Sequence, residues 1–140
     1  GEYWPSGIER VNDERSIQFV ENSLYLMALG PRHTGFSVLS GTKITREGAK
    51  ALAGATEHCW QAILNRDVKD FGRYFRQSFE AQIAMFPNMM NEMVEKLIRQ
   101  YRDVALGWKL SGAGGGGYLI LVSDKPIDGA VRVIARRESD

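Results

Sequence analysis

Apolar and polar positions change their spacing along the chain, and each spacing predicts a kind of element. Between residues 8 and 29, Ile8–Val11 and Ile17–Val20 read as short β segments around a polar turn, Asn12-Asp13-Glu14-Arg15. Ser23–Leu29 reads as an apolar strand. Gly30-Pro31-Arg32-His33-Thr34-Gly35 then interrupts regular structure, because proline and glycine punctuate it, and Phe36–Ser40 leads toward a helix. From there the apolar period becomes about 3.6 residues and predicts three helices in succession. In the first, Thr45 is the expected N-cap with Glu47 in the first turn, and the expected buried stripe is Ala49, Leu52, Ala53, Thr56, Trp60, Ile63 and Leu64. The second begins at Asp67, carries the stripe Val68, Phe71, Phe75, Phe79, Ile83 and Phe86, and ends at Pro87. The third carries Met90, Val94, Leu97, Ile98 and Tyr101, with Gly107 expected as the glycine that follows a helix end.

The period then shortens. Trp108–Ser111 and Tyr118–Ser123 are expected as two strands, joined by Gly112-Ala113-Gly114-Gly115-Gly116-Gly117. Asp124 is expected to cap a short helix with Pro126 in its first turn. Residues 131–136 alternate, Val131, Val133 and Ala135 against Arg132, Ile134 and Arg136, which also suits a strand; a helix is the expectation. Without internal repeat or linker, residues 1–140 read as a single α+β domain.

At 140 residues the chain is long enough for one proper core, and 44% hydrophobic with 25% charged residues is ordinary for a globular domain. The net charge of +1 shows no strong patch, so neither nucleic acid nor a membrane surface is an expected partner. No apolar run approaches a membrane span, and the N-terminus shows no basic stretch leading into an apolar one. The single cysteine, Cys59, excludes an internal disulfide and suits a cytoplasmic location. A chain that opens on Gly1 rather than Met is expected to continue upstream.

Five glycines within residues 112–117, set between two strands, demand a backbone explanation. Each glycine costs roughly 0.5–1 kcal/mol relative to alanine in regular structure, so a run of them serves positive φ or close approach by a ligand or another segment. Consecutive amides in such a loop form a concave nest suited to phosphate. Gly112, Gly114 and Gly117 satisfy the dinucleotide-binding spacing, but that fingerprint needs a helix after the loop and Tyr118–Val122 is strand-like. A phosphate loop of the nucleotide-hydrolase type needs a Gly-Lys-Ser/Thr ending, which Gly117-Tyr118-Leu119 lacks.

Lys109-Leu110-Ser111-Gly112-Ala113-Gly114-Gly115-Gly116-Gly117 resembles the third motif of the GHMP kinases, close to K-L-T-G-A-G-G-G-G, with serine where threonine is commoner. The wider stretch Ala105–Leu119 looks most like the fucokinase and heptose-phosphate kinase branch. The resemblance implies a ferredoxin-like C-terminal domain, an antiparallel sheet backed by helices. It also implies that phosphoryl transfer occurs in a cleft between this domain and an N-terminal one, which this chain lacks. In that picture Ser111, Gly112, Ala113, Gly114, Gly115, Gly116 and Gly117 line the phosphate and substrate cleft. ATP and magnesium belong to the full-length enzyme, with neither held tightly by this chain. No catalytic residue and no metal ligand is expected here, and the fragment alone is expected to be inactive. With a helix over residues 131–136, the last strand of such a fold would be missing.

Arg32 and Thr34, in the loop with His33 and Ser37, have the donors to meet a sugar or phosphate; a surface turn with capping hydroxyls is the alternative. Lys109 is either a third substrate contact or a lysine on a solvated strand face. His58 is expected to be structural, Cys59 a small buried hydrophobe, and Arg73, Arg76, Arg99 and Arg102 a solvated face. Two functions of different class follow. One is the C-terminal half of an ATP-dependent sugar kinase, whose partners are its own N-terminal domain and a sugar or sugar phosphate. The other is a stand-alone ligand-binding or regulatory module of the same fold. A third, purely structural possibility is oligomerisation through the surface that would face the missing domain, where an exposed apolar patch would favour self-association of the fragment.

Overall fold

The computed structural model describes residues 13–29, 43–111 and 117–133. In chain order the elements are α1 (Glu14–Ser23), β1 (Leu24–Leu29), α2 (Arg46–Leu64), α3 (Val68–Met85), a 3-10 turn (Pro87–Met89), α4 (Glu92–Tyr101), β2 (Gly107–Ser111), β3 (Gly117–Val122) and β4 (Val131–Arg132). The strands form one antiparallel sheet in the order β2-β3-β1-β4, which with its helices makes the expected α+β fold.

The first element corrects the sequence reading. Ile17–Val20 belongs to a helix, because Asp13, taken as part of a turn, is its N-cap: the carboxylate accepts from the Ser16 amide at 3.2 Å and the Ser16 hydroxyl at 3.0 Å. Those bonds hold the Asp13 carboxyl below its ordinary pKa, the Ser16 hydroxyl being the largest cause. The other proposed segment, Ile8–Val11, lies outside the described residues. Strand β1 falls within the expected Ser23–Leu29.

Thr45 caps α2 and Asp67 caps α3, each through its side chain, as expected. Between them the chain turns sharply. Asp67 N–H donates to the Ala62 carbonyl and Arg66 N–H to that of Ile63, with Arg66 left-handed at φ 53°, a Schellman ending with arginine in the usual glycine place. The α3 stripe is as predicted: Phe71 and Phe79 are buried and Phe75 half-buried. The α2 stripe is rotated. Its buried residues are Ala55, Cys59 and Ala62, whereas Ala49, Ala53, Thr56 and Leu64 are exposed. Small side chains let α2 approach closely, so the small face rather than the one with the most apolar bulk is buried.

The sheet has two packed faces. On one, Tyr25, Leu110, Leu119 and Leu121 meet Phe79 of α3, Met89 of the 3-10 turn and Val94 of α4. On the other, Val122 meets Cys59 and Ala62 of α2 and Phe71 of α3, with Phe19 and Leu24 against them. Helix α3 therefore serves both cores, its N-terminal half one and its C-terminal half the other.

That double duty depends on Gly72 and Gly107. A methyl group built on Gly107 would lie 2.0 Å from the Gly72 carbonyl oxygen, and one on Gly72 would lie 2.5 Å from Leu106 Cβ and 2.8 Å from its carbonyl carbon. Gly107 was expected to follow the third helix; instead Arg102 closes α4 and Gly107 opens β2, where it lets α3 touch the strand backbone. The expected helix after Asp124 is also absent. Ser123 Oγ accepts from the Lys125 amide at 3.1 Å and donates to the Lys125 carbonyl at 2.7 Å, turning the chain locally instead. Val131–Arg132 then pairs with β1, so the final strand is present and residues 131–132 are strand, not helix; residues 134–136 lie outside the described residues.

Gly107→Ala and Gly72→Ala should each lower unfolding stability by about 2 kcal/mol or more, because at both positions the added methyl meets backbone atoms and only backbone movement relieves the clash. Gly54→Ala, on an open face of α2, should instead stabilise by up to about 1 kcal/mol. Denaturant unfolding of the three variants measures all of this, and a neutral Gly107→Ala would contradict the packing.

Candidate functional site

The candidate site is built at one end of the sheet. Gly112, Ala113, Gly114, Gly115 and Gly116 lie outside the described residues, as do Arg32 and Thr34, but the strand ends that launch both segments are fixed. Ser111 closes β2 opposite Tyr118, and Gly117 opens β3 opposite Leu29, the last residue of β1. The glycine segment and the segment bearing Arg32 and Thr34 thus leave the sheet from the same end. Lys43, just past the second segment, donates its amide to the Met85 carbonyl at 2.8 Å and ties that segment's far end to the end of α3.

The register sets three rows across the face that α2 partly covers. Nearest the glycine segment are Ser111, Tyr118 and Ala28; then Lys109, Ile120 and Leu26; then Gly107, Val122 and Leu24. Burial rises along that order. Tyr118 is 47% exposed, Leu26 and Ile120 are half-buried, and Val122 is fully buried. Val131, opposite Leu26 and 66% exposed, extends the open part of this face.

Lys109 is not a solvated strand lysine. It is half-buried, and its Nζ donates to Ser78 Oγ of α3 at 3.1 Å, while that hydroxyl donates to the Phe75 carbonyl at 2.7 Å. Burial pushes its pKa down, the nearby Cys59 opposing this slightly. Cys59 is buried, as expected, and desolvation raises its thiol to about 11, against a smaller pull from Lys109. Both flank a cavity of about 330 Å³ between α1, α2, α3 and β2, lined by Val20, Leu24, Trp60, Ile63, Phe71 and Phe75. Ser78 and this cavity were not foreseen. The available signal was the spacing of Gly107, Lys109 and Ser111, which puts the lysine on the same face as a buried glycine.

The remaining charged candidates are distributed on the surface. His58 stacks on Tyr74 with ring centroids 4.6 Å apart, a structural contact. Arg73 pairs with Asp70 at 2.7 Å on an exposed face, whereas Arg76 is half-buried with its guanidinium 5.5 Å from the Trp108 ring centre. Among the described residues no group of three or more His, Cys, Asp or Glu is placed to hold a metal ion. No helix among them is long and apolar enough to cross a membrane.

Residues 61–137 match the family described as GHMP kinases C terminal. The chain is 38% identical over 73 residues to an L-fucokinase/L-fucose-1-P guanylyltransferase of Bacteroides fragilis, a stretch covering 52% of this chain and 8% of that protein. It is 35% identical over 65 residues to a bifunctional fucokinase/GDP-fucose pyrophosphorylase of Arabidopsis thaliana, covering 46% and 6% respectively. The matched stretch is thus a small part of these curated relatives. In three dimensions the chain is similar to a crystal structure of mevalonate kinase, with a TM-score of 0.46 and 19% identity over 81% of this chain and 36% of that one.

The Cys59 shift has a measurable sign. Between pH 9 and 11 the unfolded chain has lost the thiol proton that the folded chain keeps, so the fold loses stability as pH rises through that window. The stability of the wild type relative to Cys59→Ala should fall by about 2 kcal/mol across it. Urea unfolding at a series of alkaline pH values measures the difference, and a flat difference would contradict the burial of the thiol.

Proposed function

The chain belongs to the GHMP kinase C-terminal family, and on that footing we propose that it is the C-terminal domain of an ATP-dependent sugar kinase acting on fucose. The observation that carries the reading is the segment Lys109–Gly117, a family glycine motif leaving one end of an antiparallel sheet within the matched region. The fucokinase names of the two relatives favour fucose over a heptose phosphate as the acceptor. The kinase and its cytoplasmic setting belong to the whole protein, of which this chain supplies one wall of the active site.

Phosphoryl transfer needs positioning and charge stabilisation more than covalent chemistry. In the proposed enzyme, ATP brings the phosphoryl group, magnesium offsets its charge, and the N-terminal domain of the same protein supplies the proton-abstracting group. In this reading the magnesium ligand lies in the N-terminal domain rather than in this chain. Its contribution is shape and backbone donors. Amides of Gly112–Gly117 face the phosphates or the loop that holds them. Arg32 and Thr34 follow in sequence from Leu29, which ends β1 at the same end of the sheet, and are proposed to reach the acceptor sugar. The open part of this face, marked by the exposed Tyr118 and Val131 with half-buried Ile120 and Leu26 between them, is the surface on which the N-terminal domain rests, and without that cover it is where the isolated chain would self-associate.

The test is ADP release by the natural gene product extended upstream of Gly1, offered fucose, galactose, mannose and heptose phosphates. Fucose-dependent turnover is expected. Turnover with another of these sugars would overturn the substrate, and none with any of them would favour a ligand-binding module. In the active protein, Gly114→Val should lower kcat by about a hundredfold or more, because a side chain there displaces the loop backbone. Near-normal turnover of that variant would remove the glycine loop from the site.

A further inference from the structure

The cavity beneath Lys109 combines features that a packed domain rarely leaves together. It holds about 330 Å³ and opens to solvent between α1, α2 and α3. Pockets of that size suit a small organic molecule rather than a single ion or water. Its walls are apolar and partly aromatic: Leu24, Trp60, Ile63 and Phe75. Interiors of this kind are normally filled to crystal-like density, and the small residues that bring α2 close to α3 leave this gap beside them.

Among the described residues one charge enters it. Lys109 Nζ reaches the cavity with the Ser78 hydroxyl as its single hydrogen-bond partner among the described residues, and no carboxylate lies within ion-pair distance of it there. An ammonium has three donors, and the described residues take one of them. A half-buried cation with no carboxylate beside it among the described residues is a costly arrangement, and an anionic group seated against it offsets that cost. Ser78, already donating to the Phe75 carbonyl, holds the ammonium at the inner wall.

We propose that this cavity is a binding site for a small carboxylate with a flat apolar body, the carboxylate seated on Lys109 and the body between Trp60, Ile63 and Phe75. Volume sets the size, about ten to fifteen non-hydrogen atoms, and the aromatic walls favour a planar ring system. The site is built from α1, β1, α2, α3 and β2 of this chain and does not rest on the kinase reading. Its failure and the failure of that reading are therefore separable.

The probe is naphthoate, with naphthyl methanol as its uncharged counterpart, titrated into the intact chain by calorimetry and by the nuclear magnetic resonance shift of the Trp60 indole. Naphthoate should bind saturably, move the Trp60 resonance, and lose affinity by about tenfold or more in Lys109→Met, while the alcohol binds both proteins equally. Thr56 also lines the cavity from an exposed position of α2, so Thr56→Trp should block the acid with Lys109 intact; this variant decides the matter if Lys109→Met does not fold. Equal binding of the acid by wild type and Lys109→Met, undiminished binding to Thr56→Trp, or no saturable binding at all would overturn the proposal.

Discussion

The contact on which the domain depends is the one between two glycines. Gly107 at the start of β2 and Gly72 in the first half of α3 bring backbone against backbone, with no room for a methyl group on Gly107. Because α3 lies this close to the strand, Phe71 reaches one core and Phe79 the other, and one helix fastens both faces of the sheet. The same approach brings Ser78 to Lys109 and Arg76 over Trp108. Gly107 lies only four residues before Ser111, so the strand that leads into the glycine segment is braced at its root.

That arrangement separates a rigid end of the sheet from an open one. Toward Gly107 and Val122 the rows are buried under α2 and α3. Toward Ser111 and Tyr118 they are uncovered, and there the two candidate segments leave the sheet side by side. A functional loop is best held by a stiff scaffold with its tip free to meet a ligand or another domain. The gradient from buried to exposed along three rows supplies that in physical terms.

Much of this was legible in the sequence, for identifiable reasons. The α3 stripe could be read because its phenylalanines recur on one face, and β2 and β3 because apolar runs bracket the glycines. Thr45 and Asp67 declared two helix starts. Helix α1 was hidden because Ile17 and Val20 favour strands and the cap at Asp13 resembled a turn residue, so local chemistry outweighed β propensity. The α2 face was misjudged because bulk marks burial only where there is space, and close helix packing selected Ala55, Cys59 and Ala62. Gly107 reads equally well as a helix ending and as a contact point; only the position of Gly72, far away in sequence, decides. Lys109 was ambiguous for a related reason, since Ser78, to which it donates, lies 31 positions away. The glycine motif was legible as a family mark; of the candidate site the described residues include the strand ends, while residues 112–116 and the Arg32 segment lie outside them.

The central claim is that this domain forms one wall of a fucose kinase site whose other wall is a separate domain of the same protein. Reconstitution from halves tests it most directly. The N-terminal half is expressed alone and ADP release is followed with fucose as this chain is added. The account predicts negligible turnover by either half and activity that rises to saturation with the concentration of residues 1–140. An N-terminal half that turns over equally well with and without this chain would contradict it.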